Sequence, residues 1–363
     1  MVRRPRLLPV VAVARRHTEQ CLADVLTAAE EPVDSRLPLV LVACSGGPDS
    51  LALAAVVVHL ARSGRCRVGA VVIDHGLQPG SREVADRAAE QLTGLGLEPI
   101  EVRSVTVVAT GMGPEAAART ARYAALDTAA AELGAVAVLL GHTLDDQAEQ
   151  VLLGLARGSG TRSLAGMPKQ RGLYRRPLLN LRRAATEEIC RFYGLDPWMD
   201  PTNRDEQFAR SRVRATVLPF LEEQLGPGIP QALARSATIL GQDADYLEQL
   251  AESRFQQLVV QDSDCLLLNE GALRALPAAL RQRVIALAAV GLGGSQPSFE
   301  RILAVESLLQ RRGSAGPVQL GGHISAFRQV RGKSVLQGEP SYGSLVFTNN
   351  RSGANRPSGP TQE

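Results

Sequence analysis

Short apolar runs alternate with longer amphipathic stretches between residues 39 and 140, and no other feature limits the possible fold as strongly. Leu39–Cys44 is continuous and apolar, as in a strand buried on both faces, and Val68–Asp74 and Val136–Leu140 have the same character. Pro99–Arg103 is a weaker strand. The stretches between these runs have helical character: Ser50–Arg62, Ser81–Leu95 and Pro114–Leu133. The alternation predicts an α/β fold with a parallel sheet covered on both faces, whose ligands bind beyond the carboxyl ends of the strands.

The rest of the chain differs from region to region in its residue composition and in its helical or strand pattern. Residues 1–34 are predicted to form a helical lead-in to an α/β domain at 35–215. From 216 to 338 helical patterns dominate, with a short two- or three-stranded sheet near the end. Residues 339–363 are rich in Ser, Gly, Pro, Asn and Thr, a composition typical of a disordered tail. The sequence therefore predicts a large α/β domain followed by a second, smaller, mainly helical domain.

Charge and cysteine content narrow the class of protein. Lys169 and Lys333 are the only lysines, so arginine carries the positive charge; arginine suits phosphate and base contacts, although a GC-rich genome also favours it. The five cysteines form no CxxC pair, which disfavours a zinc ribbon or a cluster-binding hairpin and suits a reducing compartment. No apolar stretch approaches the roughly 18 residues of a membrane span, so we expect a cytoplasmic protein with no membrane partner.

A glycine-rich loop joins the first strand to the first helix. Its residues are Ser45, Gly46, Gly47, Pro48, Asp49 and Ser50. The glycines permit a close backbone approach to a ligand, and the amide groups at the helix start favour an anion. The serines add hydroxyl donors, and Asp49 can hold Mg²⁺ against phosphates. No GxxxxGK[ST] segment occurs, which disfavours a Walker-type NTPase, while an ordinary serine-capped turn is the structural alternative.

A group of acids follows the fourth strand and opens a helix, in the segment GHTLDDQAE. Asp145 and Glu149 are four residues apart and share a helical face, and Asp146 flanks them near His142. Acids in a first helical turn also serve as caps or partners of the helix dipole. Three of them at a strand end, facing the glycine-rich loop, exceed what capping needs. They could hold an ammonium group or Mg²⁺ and could accept a proton, although the sequence does not assign the base.

Two basic stretches could meet phosphates. Glu115, Arg119 and Arg122 share one helical face, which could bind ATP or RNA or form a solvated stripe of salt bridges. A later cluster could grip RNA phosphates or simply be an exposed basic helix. Its members are Arg210, Arg212 and Arg214.

The SGGPDS loop resembles that of the PP-loop ATP pyrophosphatases, a group that cleaves ATP between its α and β phosphates. Within that group, residues 39–222 resemble the tRNA(Ile)-lysidine synthase family in several separate segments. These segments are Asp74–Leu77, Glu115–Tyr123, Gly141–Glu149, Leu164–Met167, Arg175–Leu179, Asp200–Asn203 and Arg210–Pro219. The chain departs from the family pattern at Gln150, where Thr is usual, and at Ser211, where Asn is usual.

The resemblance implies a parallel-sheet PP-loop ATPase domain that binds ATP and Mg²⁺. It implies adenylation of the wobble cytidine at C2 in an isoleucine tRNA with a CAU anticodon, with release of pyrophosphate. The ε-amine of free lysine then displaces AMP and forms lysidine. The second domain would bind the tRNA, and the resemblance allows a homodimer.

The implied site residues form three sets. The catalytic set is Asp49, Asp145, Asp146 and Glu149, with Asp49 as the metal ligand. The nucleotide set is the six-residue loop with Asp74 and His142. The tRNA and lysine set is Glu115, Arg119, Arg122, Arg176, Arg210 and Arg214. Two rival functions are a thiolase-type PP-loop enzyme, which commonly uses paired cysteines or a cluster, and a non-catalytic nucleotide-gated RNA-binding protein, which the intact acids disfavour.

Overall fold

A computed structural model describes most of the chain, and it divides the chain into two units. The described residues are 7–28, 37–74, 76, 80–106, 114–158, 160–201, 205, 207–262, 265–310, 315–329 and 343–350. The units are Met1–Gly241 and Gln242–Glu363. Their boundary falls later than the predicted one at residue 216, because the helical residues Leu218, Ile229 and Leu233 pack with Ala148 of the first unit.

The first unit contains a six-stranded, mostly parallel sheet, as the alternating pattern predicts. Its strands are β1 (Leu39–Cys44), β2 (Arg67–Asp74), β3 (Ile100–Ser104), β4 (Ala135–Leu140), β5 (Gln170–Arg171) and β6 (Tyr174–Arg175). Their order is β3-β2-β1-β4-β6-β5, and only the short β5–β6 pair is antiparallel. The carboxyl ends of β1, β2 and β4 therefore meet at one edge, next to each other.

Helices cover both faces of this sheet. The helices of the first unit are α1 (Pro9–Cys21), α2 (Ala23–Ala28), α3 (Pro48–Arg62), α4 (Ser81–Leu95), α5 (Pro114–Leu133), α6 (Leu144–Ala156), α7 (Thr161–Leu164), α8 (Arg183–Tyr193), α9 (Ala209–Arg212), a π-helical turn (Val213–Val217), α10 (Leu218–Leu225) and the part of α11 (Ile229–Leu258) up to Gly241. Val40 and Val42 of β1 pack on the side of α1, α3, α4 and α8, whereas Leu39 and Leu41 pack on the side of α5. Successive strand residues point to opposite faces, so an uninterrupted apolar strand supplies two cores.

The second unit is an antiparallel sheet with helices. Its strands are β7 (Val259–Asp262), β8 (Cys265–Asn269), β9 (Ala315–Leu320), β10 (Ile324–Gln329) and β11 (Ser344–Asn349), in the order β7-β8-β11-β10-β9. Its helices are α12 (Glu270–Ala275), α13 (Ala278–Gly291) and α14 (Phe299–Leu308). The sequence predicts a mainly helical domain with two or three strands, whereas the described residues of this unit form five strands. Short strands flanked by polar residues give weak sequence signals.

The expectation of a disordered tail from residue 339 is wrong for Ser344–Asn349. This segment is β11, paired on both sides with β8 and β10, and it buries Leu345 and Phe347. The strand has only six residues, so its apolar side chains change the average composition of this Ser-, Gly- and Pro-rich region very little. Residues 351–363 lie outside the described residues. No described helix is both long enough and apolar enough to cross a membrane.

Candidate active site

The glycine-rich loop leaves β1 at Cys44 and enters α3 at Pro48, the first helical position, where the missing N–H costs nothing. Gly46 has a φ of +77°, in the left-handed region that favours glycine. The Ser50 hydroxyl accepts from the Ser45 N–H at 3.2 Å and donates to the Gly47 carbonyl at 3.0 Å. Hydrogen bonds between its own residues therefore fix the conformation of the loop, and its remaining amide groups lie at the positive end of the α3 dipole.

Close packing of β4 against α3 brings the second motif to this loop. A Cβ placed on Gly141 would lie 2.9 Å from the Asp49 carbonyl carbon, from its oxygen and from the Ser50 nitrogen. Such contacts are too short for any other residue, so glycine is required where β4 ends. The segment after Gly141 then starts α6 beside the loop, which confirms that the two motifs meet.

Asp146 caps its own helix and also faces basic side chains. Its Oδ2 accepts from the Thr143 N–H and hydroxyl, both at 2.8 Å, in a capping box at the start of α6. Its Oδ1 accepts from Arg183 at 3.1 Å and from Arg214 at 3.3 Å. Burial opposes ionisation, but the Arg183 charge and the Thr143 N–H outweigh it, so the pKa of Asp146 is lowered. Asp146 is thus an ionised carboxylate.

Asp145 points to the start of α8. Its Oδ1 accepts from Arg182 Nε at 2.9 Å, and its Oδ2 accepts from the Arg183 backbone N–H at 2.7 Å. A carboxylate on the first amide of a helix is a capping interaction. Asp145 therefore lies at the predicted site and also caps a helix, although the helix that it caps is α8 and not its own.

Glu149 is fully buried beneath these acids and holds two arginines of the predicted basic cluster. It is 0% exposed. Arg214 donates to both carboxylate oxygens, at 2.7 and 3.0 Å, and Arg210 donates to one at 3.0 Å. A paired arrangement of this kind offsets the cost of burying the charge. The structure thus joins Arg210 and Arg214, remote in sequence, to the acids of α6.

Arg183 and Thr186, at the start of α8, complete the cluster, and sequence reasoning missed both. Arg183 Nε donates to Asp49 Oδ2 at 3.5 Å, and the Thr186 hydroxyl donates to Asp49 Oδ1. Burial raises the pKa of Asp49 to about 6, against the opposing effect of the Arg183 charge. One sequence feature could have indicated Arg183: the pair Arg182-Arg183 follows the RPLL segment, and a cluster of acids needs nearby cations.

Neutral His142 lies among arginines at the edge of the site. Arg176, which is 4% exposed, donates from Nε to His142 Nδ1 at 3.3 Å, so His142 carries its proton on Nε2. Burial lowers the pKa of His142 to about 3, with Asp146 opposing and the charges of Arg176, Arg122 and Arg210 reinforcing the shift. The imidazole is therefore neutral at physiological pH, and three guanidinium groups surround it.

Arg122 of α5 carries a half-buried charge near this histidine. It lies 5.7 Å from the Tyr123 ring, and Arg119 lies 5.0 Å from the same ring. Burial lowers the pKa of Arg122, and the charges of Arg119 and Arg210 act in the same direction. Among the described residues Arg122 forms no ion pair with a carboxylate. A half-buried cation without a carboxylate partner among the described residues favours a phosphate-bearing ligand at this point.

The remaining predicted residues are less informative. Asp74 ends β2 and accepts from the Gly76 N–H at 3.0 Å, which agrees with the turn role considered for it. His75, Leu77 and the Glu115 side chain lie outside the described residues. Within the described part of the chain, no three His, Cys, Asp or Glu side chains are grouped as a metal site. Mg²⁺ commonly takes one or two carboxylates together with substrate phosphates, so Asp49 still fits that role.

Comparisons with known proteins agree with this geometry. A family model described as a PP-loop domain matches residues 16–221. A second model, described as a TilS substrate binding domain, matches residues 268–333. The loop, the parallel sheet and a match over more than half of the chain define a PP-loop protein.

Relatives narrow the class further. The tRNA(Ile)-lysidine synthase of Leifsonia xyli subsp. xyli is 50% identical over 303 residues, 83% of this chain and 90% of the relative. That of Thermobifida fusca is 48% identical over 317 residues, 86% of this chain and 94% of the relative. The chain belongs to the tRNA(Ile)-lysidine synthase family.

One solved structure supports the fold alone. The U34-tRNA thiolase NcsA from Methanococcus maripaludis, with its [4Fe-4S] cluster, has a TM-score of 0.52 and 20% sequence identity. The likeness covers 64% of this chain and 80% of that one.

Proposed function

We propose that this protein ligates free lysine to C2 of the wobble cytidine in a CAU-anticodon isoleucine tRNA, with ATP converted to AMP and pyrophosphate. The observation that carries the proposal is the packing of Gly141 against Asp49, which puts an acid-rich helix beside a phosphate-type loop. Family membership supplies the substrate.

The loop binds the nucleotide. Loop amides and the N-terminus of α3 face the phosphates, the Ser45 and Ser50 hydroxyls support the turn, and Asp49 would hold Mg²⁺. When bound, the ion would neutralise charge on the pyrophosphate that leaves. The cytidine C2 oxygen attacks the α-phosphorus, the α–β bridge breaks, and the base is left with a good leaving group.

The arginine group beside His142 binds the phosphate of the adenylated intermediate. Arg122 lacks a carboxylate partner among the described residues, and Arg176 is fixed by His142 and by the Pro168 carbonyl at 2.9 Å. His142 can donate from Nε2, because Nδ1 is the acceptor of the Arg176 bond. These groups stabilise negative charge while lysine attacks C2 and AMP departs.

The acids receive the lysine. Its ε-ammonium needs an anionic neighbour, and it must lose a proton before attack. Glu149 is buried and held by Arg210 and Arg214, so we assign it to fixing those arginines rather than to proton transfer. Asp145 and Asp146 are the remaining candidates for binding the amine and taking the proton.

The proposal extends to partners and compartment. The second unit, which contains the matched substrate binding domain, would hold the tRNA body. A homodimer stays a prediction, to be tested by sedimentation. We infer a cytoplasmic location, since the tRNA substrate is there.

A thiolase-type reaction is disfavoured by the cysteines. Cys44, Cys66 and Cys190 are buried, and burial raises the pKa of Cys66 to about 11 and of Cys190 to about 12. Sulfur transfer needs a thiolate, which such surroundings suppress.

The test is one incubation of the protein with α-labelled ATP, lysine and a CAU-anticodon isoleucine tRNA transcript. AMP that forms only with tRNA, together with a lysine-bearing cytidine, is the expected result. AMP without that nucleoside would keep the reaction class and reject the substrate. The absence of AMP under every combination would support a non-catalytic RNA-binding protein.

A further inference from the structure

The guanidinium of Arg183 lies among three carboxylates that come from two helices. Its Nη2 is 3.1 Å from Asp146 Oδ1 and 3.5 Å from Glu149 Oε1. Its Nε is 3.5 Å from Asp49 Oδ2. A charge-assisted N–H···O bond is usually about 2.7–2.9 Å long. Asp146 therefore holds Arg183 more closely than Asp49 does, and Glu149 adds a second contact from α6 at the same distance as that of Asp49.

The acids depend on cations to lie this close together, because like charges in a partly buried site repel. Asp146 and Glu149 are also paired with Arg214, and Glu149 with Arg210. Asp49 differs from them. Among the residues that the structure describes, Arg183 is the single cation within ion-pair distance of Asp49.

We propose that Arg183 is a resident counter-ion of Asp49 that competes with the divalent metal for this carboxylate. The attraction of the Asp49 carboxylate to a divalent ion is stronger than its attraction to a guanidinium at 3.5 Å. When the metal takes Asp49, Arg183 stays in place through its contacts with Asp146 and Glu149. The metal then binds weakly by itself and tightly with a nucleotide, whose phosphates supply further ligands. Arg183 is thus a positioning residue, and the inference rests on the metal role of Asp49 in the proposed function.

The test measures metal affinity without nucleotide or RNA. Mn²⁺ is titrated into the full chain, and free Mn²⁺ is followed by electron paramagnetic resonance. Arg183→Gln removes the competing charge and should bind Mn²⁺ at least about tenfold tighter than the wild type, since a charge this near Asp49 acts at reduced dielectric. The added Asp49→Asn substitution should cancel that gain.

Arg191→Gln is the matched control. Arg191 lies in the last turn of the same helix α8 and is exposed, so the variant has the same change of net charge far from the acids. Its Mn²⁺ affinity should equal that of the wild type. Equal tightening in both arginine variants would show a general charge effect and overturn the proposal.

A folded Arg183→Gln protein, with wild-type near-ultraviolet circular dichroism, that binds Mn²⁺ no tighter also overturns it. Should that variant not fold, Arg183→Lys decides. Lysine keeps a charge for the α6 acids but has no Nε group opposite Asp49, so we expect about threefold tighter Mn²⁺ binding. Unchanged affinity would contradict the proposal. A failure of tRNA modification would leave these titrations intact, so the two hypotheses fail separately.

Discussion

Replacing Gly141 by alanine should damage stability and chemistry together, because this glycine is the contact between β4 and the first turn of α3. The added Cβ would lie 2.9 Å from three backbone atoms of Asp49 and Ser50, about 0.5 Å inside ordinary van der Waals contact. Backbone atoms cannot rotate away as a side chain can. Overpacking of this kind costs about 1–3 kcal/mol, so we expect a loss near 2 kcal/mol. For a unit of this size, that lowers the Tm by about 4–8 °C.

The single tryptophan gives a local measurement. Trp198 belongs to the first unit, and its backbone N–H donates to the Gly46 carbonyl at 2.9 Å, so its fluorescence during heating reports the loop region. A shift of Asp49 by a few tenths of an ångström should also slow tRNA-dependent AMP formation by about tenfold or more, since misplacement of 1 Å can cost 10²-fold.

Gly94→Ala is the matched control. Gly94 lies inside α4, and a Cβ there would meet nothing within 4 Å. Alanine is the better helix former by about 0.5–1 kcal/mol, so this variant should be slightly more stable and fully active. A Gly141→Ala protein with the wild-type Tm and rate would refute the reasoning that this contact positions the site.

Three further outcomes follow from the site and the second unit. Asp49→Asn should abolish ATP cleavage with the fold intact; retained turnover, measured as AMP release, would exclude it as the metal ligand. Glu149→Gln leaves Arg210 and Arg214 without their buried anion, so its Tm should fall by several degrees and tRNA affinity, measured by filter binding, should weaken. Phe347→Ala should cost about 3–5 kcal/mol, seen as early melting of the second unit; unchanged melting would contradict the central place of β11.

Much of the first unit could be predicted from local patterns. Leu39–Cys44 and the loop after it have the composition of a buried parallel strand and an anion-binding turn, and the structure has both. The partners of the acids could not be predicted. Arg183 and Thr186 reach Asp49 from more than 130 residues away in sequence, and only the sheet order makes them neighbours.

The second unit shows a different limit. β11 is six residues long, and its neighbours β8 and β10 are separated from one another in sequence by three helices and by β9. Composition averages over windows longer than such a strand, so its buried Leu345 and Phe347 were outweighed by polar residues around them. Pairing between distant strands is a tertiary property that local patterns do not contain.

The position of β11 also sets an order of events during synthesis. A ribosome delivers β8, β9 and β10 before β11, yet β11 lies between β8 and β10 in the finished sheet. Until residue 349 has left the exit tunnel, both neighbours have an unpaired edge that can recruit other chains. Synthesis that stops before Ser344 would thus yield a polypeptide with the complete sheet of the first unit and an aggregation-prone second unit.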